Sequence, residues 1–107
     1  MRVLLDECVP RRFKLELPEF DVSTVRDEGW TSQRNGDLLR EMVAAGFTVF
    51  VTMDRNLMHQ QNVSAGGIAV FVLRARTNRL QDLAPLAPKL RSVMLSARIG
   101  EVVYVAL

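Results

Sequence analysis

Apolar residues fall into short blocks set apart by polar stretches, and five of these blocks have the length and character of strands. Met1 to Leu5 is a short apolar run that stops at Asp6 and predicts a buried strand. Phe20 to Val25 predicts a second, with Val22 and Val25 as apolar members. Phe47 to Thr52 is nearly all apolar or β-branched, as a strand buried on both faces requires. Ile68 to Leu73 is the purest strand pattern, and Glu101 to Leu107, after the breaker Gly100, predicts the last.

The segments between them have helical patterns. Pro10 suits a first helical turn, where its missing N–H is not needed, with Phe13, Leu15 and Leu17 packing inward and Pro18 ending the element. Asn35 is a good N-cap and Asp37 an acid in the first turn; Leu38, Leu39, Met42 and Val43 make one apolar stripe, which Gly46 stops. Met53 to Asn56 leaves the third strand and opens a short helix through about Asn62, while Leu80 to about Ala97 reads as helical despite Pro85 and Pro88. The order βαβαβαβαβ predicts a single α/β domain over residues 1–107, with a mostly parallel five-stranded sheet and helices on both faces.

Composition narrows the class. A chain of 107 residues, 49% hydrophobic and 24% charged, has the balance of a soluble globule large enough for one core. A lone cysteine, Cys8, fits a reducing compartment. The opening apolar run meets Asp6 and Glu7 too soon for a signal peptide, and no run approaches a membrane span, so a cytoplasmic protein without a membrane partner is expected. Net charge is only +2, but between Ile68 and Arg98 the cations Arg74, Arg76, Arg79, Lys89, Arg91 and Arg98 face the single acid Asp82. That layout suits an enzyme gripping a polyanion while holding a cation elsewhere; it also suits a solvated helix face.

In open α/β sheets, ligands bind beyond the carboxyl ends of the strands, so the residues that end strands are the first candidates for chemistry. The first strand ends in Asp6-Glu7 and the third in Thr52-Met53-Asp54; Asp37 lies on the same side, and the fourth strand runs into Arg74. Three acids from separate segments can therefore meet at one edge. Carboxylates about 4 Å apart repel by roughly 4 kcal/mol at an effective dielectric near 20, so such a meeting calls for a proton or a cation. An all-oxygen set without nearby His or Cys favours Mg²⁺ or Mn²⁺ over zinc, and such a site activates water for attack on a phosphodiester. Each acid also has a structural reading, Asp6 and Asp54 as helix caps and Asp37 as an ordinary first-turn acid. Glu7 should point elsewhere, to a metal-bound water or an arginine. His59, beside Gln60, Gln61 and Asn62, contacts substrate or is a plain surface residue. Trp30 stacks a base or covers a core edge, and Cys8 reads as a small buried hydrophobe.

The ordered set Met1-Arg-Val-Leu-Leu-Asp-Glu-Cys-Val-Pro10, Asp21-Val-Ser-Thr-Val25, Gly29-Trp30, Asn35-Gly-Asp-Leu-Leu39, Val51-Thr-Met-Asp-Arg-Asn-Leu57, Gln60-Gln-Asn62 and Gly100-Glu-Val-Val103 resembles a short bacterial PIN-like family related to VapC toxins. The resemblance spans essentially the whole chain. It implies a three-layer α/β/α PIN-like sandwich and a Mg²⁺-dependent ribonuclease, the toxin of a toxin–antitoxin pair. By position Asp6, Asp37 and Asp54 look like the family's metal-holding acids. Asn56 stands where a further aspartate often follows; it can offer a carbonyl oxygen to the metal but brings no charge.

Three functions follow as expectations. The first is an endoribonuclease in which Asp6, Asp37 and Asp54, with Asn56, hold Mg²⁺ or Mn²⁺ while Arg55, Arg74, Arg76 and Arg79 hold RNA phosphates; a protein antitoxin and a second copy of the chain are its further partners. The second is a degenerate PIN-like module that binds RNA or a partner without cutting. The third is a phosphoacceptor receiver domain, which needs a Ser or Thr ending the fourth strand and a Lys ending the fifth; here Arg74 follows the fourth, and no Lys ends the fifth.

Overall fold

A computed structural model describes residues 1–33, 35–55 and 67–107, with the side chains of Asn35 and Gly36 outside that description. Strands β1 (Arg2–Leu5), β2 (Asp21–Thr24), β3 (Val49–Thr52), β4 (Ala69–Leu73) and β5 (Val102–Val105) form one sheet in the order β2-β1-β3-β4-β5. Every pairing is parallel, with Val3 beside Val22 and Val49, Val49 beside Ala69, and Val70 beside Val102. Helix α1 (Asn35–Ala44) joins β2 to β3. Helices α2 (Leu80–Leu83) and α3 (Ala87–Leu95) join β4 to β5. The expected short helix after β3, with Asn56, His59, Gln60, Gln61 and Asn62, lies outside the described residues.

Because successive strand residues point to opposite faces, one register sorts the core into two halves. Val3, Leu5, Val49, Val51, Ala69, Phe71 and Leu73 pack on a first face with Phe13, Leu17, Leu83, Leu90 and Met94. Leu4, Phe50, Val70 and Val72 pack on the second with Leu38, Leu39, Met42 and Phe47 from α1 and its exit. The central strands are buried on both faces, which is why they read as unbroken apolar runs.

Three local expectations are corrected. The element after Pro10 is a 3-10 helix, Arg11–Glu16; it buries Phe13, and Leu17 just beyond it is also buried, while Leu15 is 70% exposed. Spacing by two is a strand period, and a helical turn puts residue 15 on the side away from 13 and 17. Val43 likewise turns outward at the end of the α1 stripe. The long helix expected over 80–97 is broken into α2, a 3-10 turn at Ala84–Leu86 and α3, where Pro85 and Pro88 cannot donate to the preceding turn. Gly46 does stop α1: at φ +91° it lets its own N–H reach Val43 O and the Phe47 N–H reach Met42 O, the paired bonds of a Schellman cap.

The connections differ in hand. The 3-10 segment between β1 and β2 lies on the first face, and α1, returning in the opposite direction to β3, lies on the second, so these two crossovers share a hand. From β4 to β5 the chain moves in the same direction as from β2 to β3, yet α2 and α3 lie on the first face. That crossover therefore has the hand opposite to the other two, although parallel crossovers within one sheet ordinarily share a hand. The result is that α3 packs beside the 3-10 segment, where Arg91 donates to Glu16 O at 3.1 Å.

Replacing Phe13 by Ala is expected to cost about 3–5 kcal/mol in a denaturant titration, because the side chain is wholly buried. Gly46→Ala is expected to cost about 1 kcal/mol from backbone strain alone. An added Cβ there would meet nothing nearer than Arg2 Nη1 at 3.7 Å.

Candidate functional site

The strand order reverses between β1 and β3: the chain leaves β1 for β2 on one side, and β3 to β5 build on the other. Both strands lead to an acid here, Asp6 directly after β1 and Asp54 two residues past the end of β3. The Asp6 N–H continues the ladder past the end of β1 by donating to Val51 O at 2.9 Å, which fixes where the Asp6 side chain begins. Its Oδ1 accepts from the Glu7 N–H at 2.8 Å and its Oδ2 from the Thr52 hydroxyl at 2.7 Å. Thr52 ends β3 wholly buried, and its oxygen also accepts the Asp54 N–H at 3.0 Å. A single hydroxyl thus joins the Asp6 carboxylate to the Asp54 backbone. An aliphatic residue would leave a buried acceptor and an N–H without these bonds.

Cys8 completes the cluster. Its Sγ lies 3.7 Å from Asp6 Oδ2 and 3.8 Å from Thr52 Oγ1. Partial burial pushes the thiol pKa up, and the neighbouring Asp6 charge pushes it further in the same direction. Cys8 is therefore half-buried and hydrogen-bonded rather than a plain hydrophobe. Its carbonyl accepts from Asn78 Nδ2 at 3.2 Å, tying the β1 exit to the loop after β4.

The remaining candidates separate into neighbourhoods. Asp37, exposed on α1, pairs with Arg40 and lines a hollow of about 490 Å³ with Gln33, Arg40 and Glu41. It does not join Asp6 and Asp54: among the described residues, no three His, Cys, Asp or Glu side chains gather into a group able to hold a metal. Asn56 lies outside the described residues. Arg55, Arg74 and Arg76 come together with Gln81 and Asp82 around a hollow of about 470 Å³. Arg79 is not among its lining residues; its carbonyl instead accepts the N–H groups of Asp82 and Leu83 at the start of α2. Arg74 also lies 5.7 Å above the Tyr104 ring. Trp30 meets Phe47 edge-on at 5.9 Å and covers the second core face.

Glu7 turns away from Asp6, its Oε1 accepting the Ser32 N–H at 2.7 Å. It shares a hollow of about 340 Å³ with Asp6, Arg11, Thr24, Arg26 and Asp27. The sequence reading missed Thr52 as a link and this hollow altogether. A hydroxyl closing an otherwise apolar strand was the visible signal for Thr52. Nothing in the spacing signals the hollow, because its walls meet only once β2 pairs beside β1.

The donor chemistry at the switch point is compatible with Mg²⁺, which takes one or two carboxylates and fills its octahedron with water and substrate oxygens. Asp6 and Asp54 would supply that set: Asp6 Oδ1 accepts a single hydrogen bond and keeps acceptor capacity, while Oδ2 is engaged by Thr52 and Cys8.

Thr52→Val is expected to lower stability by about 1–3 kcal/mol in denaturant titrations, with Thr52→Ser close to wild type. Alkylation of Cys8 should reach its full rate only at higher pH than a free thiol, since the raised pKa keeps the thiol protonated through neutral pH. Asp6→Asn should move that profile back toward lower pH by removing the charge, leaving the part due to burial.

Comparison of the chain with family models, with curated proteins and with solved structures returns no match, so the functional reading rests on the chemistry of this sheet edge.

Proposed function

We propose that the chain is a Mg²⁺- or Mn²⁺-dependent endoribonuclease with a PIN-like α/β/α sandwich, acting as the toxin of a toxin–antitoxin pair. The observation that carries the reading is the Asp6–Thr52–Asp54 linkage at the point where strand order reverses. In this reading Asp6 and Asp54 hold the ion, which when bound supplies an activated water and offsets charge on the phosphodiester. Thr52 fixes the Asp6 carboxylate by its hydrogen bond, so the carboxylate is oriented before any ligand arrives. Arg55, Arg74 and Arg76 line one hollow and hold phosphates of the strand on either side of the cleaved bond. Asp37, paired with Arg40, contributes negative charge at the start of α1.

A second reading, an RNA-binding module that does not cut, is favoured by one observation: among the described residues, no three acids gather at the switch point, where the nuclease expectation has three. The strand order itself is also that of flavodoxin-like sheets and receiver domains. The receiver reading fails on its other groups, since β4 ends at Leu73 before Arg74 and β5 at Val105 before Ala106, with neither Ser or Thr nor Lys in the required places.

Purified protein is expected to cut a mixed-sequence RNA with Mg²⁺ or Mn²⁺, and Asp6→Asn, shown to be folded by circular dichroism, to lose at least about 100-fold in rate. Folded wild-type protein that binds RNA but cuts with neither metal would establish the binding module instead. Arg74→Ala and Arg76→Ala should each weaken RNA binding across all sequences and reduce the salt slope of log K by about 0.7.

A further inference from the structure

The hollow on the β1–β2 side of the switch point has no part in holding the strand's phosphates, yet Asp6 is one of its walls. We infer that it is a nucleobase pocket selective for guanine. This deepens the nuclease reading by naming the base beside the cleaved bond, and its test is independent of cleavage.

The polar atoms left unused around the hollow define what it can bind. Glu7 Oε1 is taken by the Ser32 N–H and Asp27 Oδ2 by Arg11 Nε at 3.0 Å. The Thr24 hydroxyl accepts the Asp27 N–H at 3.0 Å, which pins the turn after β2. Arg11 and Asp27 are thus spent on each other, whereas among the described residues Glu7 Oε2 and the whole Arg26 guanidinium make no hydrogen bond or ion pair. The hollow therefore offers a carboxylate acceptor, Glu7, and a guanidinium donor, Arg26, together, with Val9 and Pro10 as apolar wall. Its volume, about 340 Å³, lies at the lower end of the range for small-molecule sites.

That combination selects among the bases. Guanine alone presents two adjacent donors, N1–H and N2–H, matched to one carboxylate, and two adjacent acceptors, O6 and N7, matched to one guanidinium. Adenine and cytosine each offer a single exocyclic amine beside a ring acceptor that a carboxylate repels. Uracil offers a single N–H between two carbonyls. A phosphate would be repelled by Asp6, Glu7 and Asp27, which outnumber the two arginines here. Unstacked bases of single-stranded RNA are read in this way, by hydrogen bonds to their exposed edges.

The test uses nucleosides, which carry no phosphate for the Arg55–Arg74–Arg76 hollow to hold. Guanosine, inosine, 7-deazaguanosine, adenosine, cytidine and uridine are titrated to millimolar concentration into the metal-free protein, followed by ¹⁵N–¹H chemical-shift changes. Guanosine should bind with amide shifts centred on Glu7, Arg11 and Arg26. Inosine, lacking the 2-amino group, and 7-deazaguanosine, lacking N7, should each bind about tenfold more weakly. Arg26→Ala and Glu7→Gln should lose guanosine by a similar factor, while Arg12→Ala, which removes a nearby charge from outside the hollow, should bind it as wild type does. No shift with any nucleoside, or equal affinity for all of them, overturns the inference. So does binding of guanosine 5′-monophosphate without guanosine, which locates the anion at the basic hollow. Guanosine binding in a protein that never cuts RNA would retain the pocket and remove the nuclease. RNA cutting without guanosine binding would do the reverse.

Discussion

The buried hydroxyl of Thr52 is the constraint on which the candidate site depends. It sits at the end of a strand enclosed on both faces, out of reach of water, so its hydrogen bonds must be made inside the protein. It makes them to the two residues with chemical promise, donating to Asp6 and accepting from the Asp54 backbone. Register makes this possible: Leu5 lies beside Val51, so the residues that follow, Asp6 and Thr52, stand side by side at the carboxyl edge of the sheet. A shift of one residue in that pairing would exchange the two core faces and separate the pair.

The distribution of charge across the carboxyl edge follows from strand order. Residues after β1 and β2 line a hollow of mixed charge, and residues after β3 and β4 line one that is mainly basic. The odd-handed β4–β5 crossover puts α2 and α3 on the same face as the 3-10 segment, and the Asn78 bond to Cys8 O draws the arginine-bearing loop toward Asp6. With the hand of the other two crossovers, those helices would lie on the face already occupied by α1. The ion pairs at the surface, such as Arg2–Asp21 and Arg11–Asp27, are exposed enough to add little stability. Their effect is to fix where individual side chains lie.

Most of the fold was legible because each strand announces itself locally. Five apolar runs, a glycine cap after α1 and the prolines around the first crossover all act within a few residues of themselves. The misreadings came where two local rules competed. Leu15 reads as inward by its apolar character, although its spacing from Phe13 and Leu17 places it on the opposite side of any helical turn. The pattern over 80–97 reads as one helix despite two prolines, whose missing N–H groups break it with a 3-10 turn at Ala84–Leu86.

The sequence by itself determined the α/β class, the parallel sheet, and the arrival of Asp6 and Asp54 at its carboxyl edge, because strand ends and crossover lengths are local properties. Only the tertiary structure decided that Asp37 stands apart with Arg40, that Thr52 joins the other two, and that Arg55 meets Arg74 and Arg76 while Arg79 does not. Those outcomes depend on which strands lie side by side and on which face each crossover takes. Both are set by the packing of side chains far apart in the chain, which no short stretch of residues encodes.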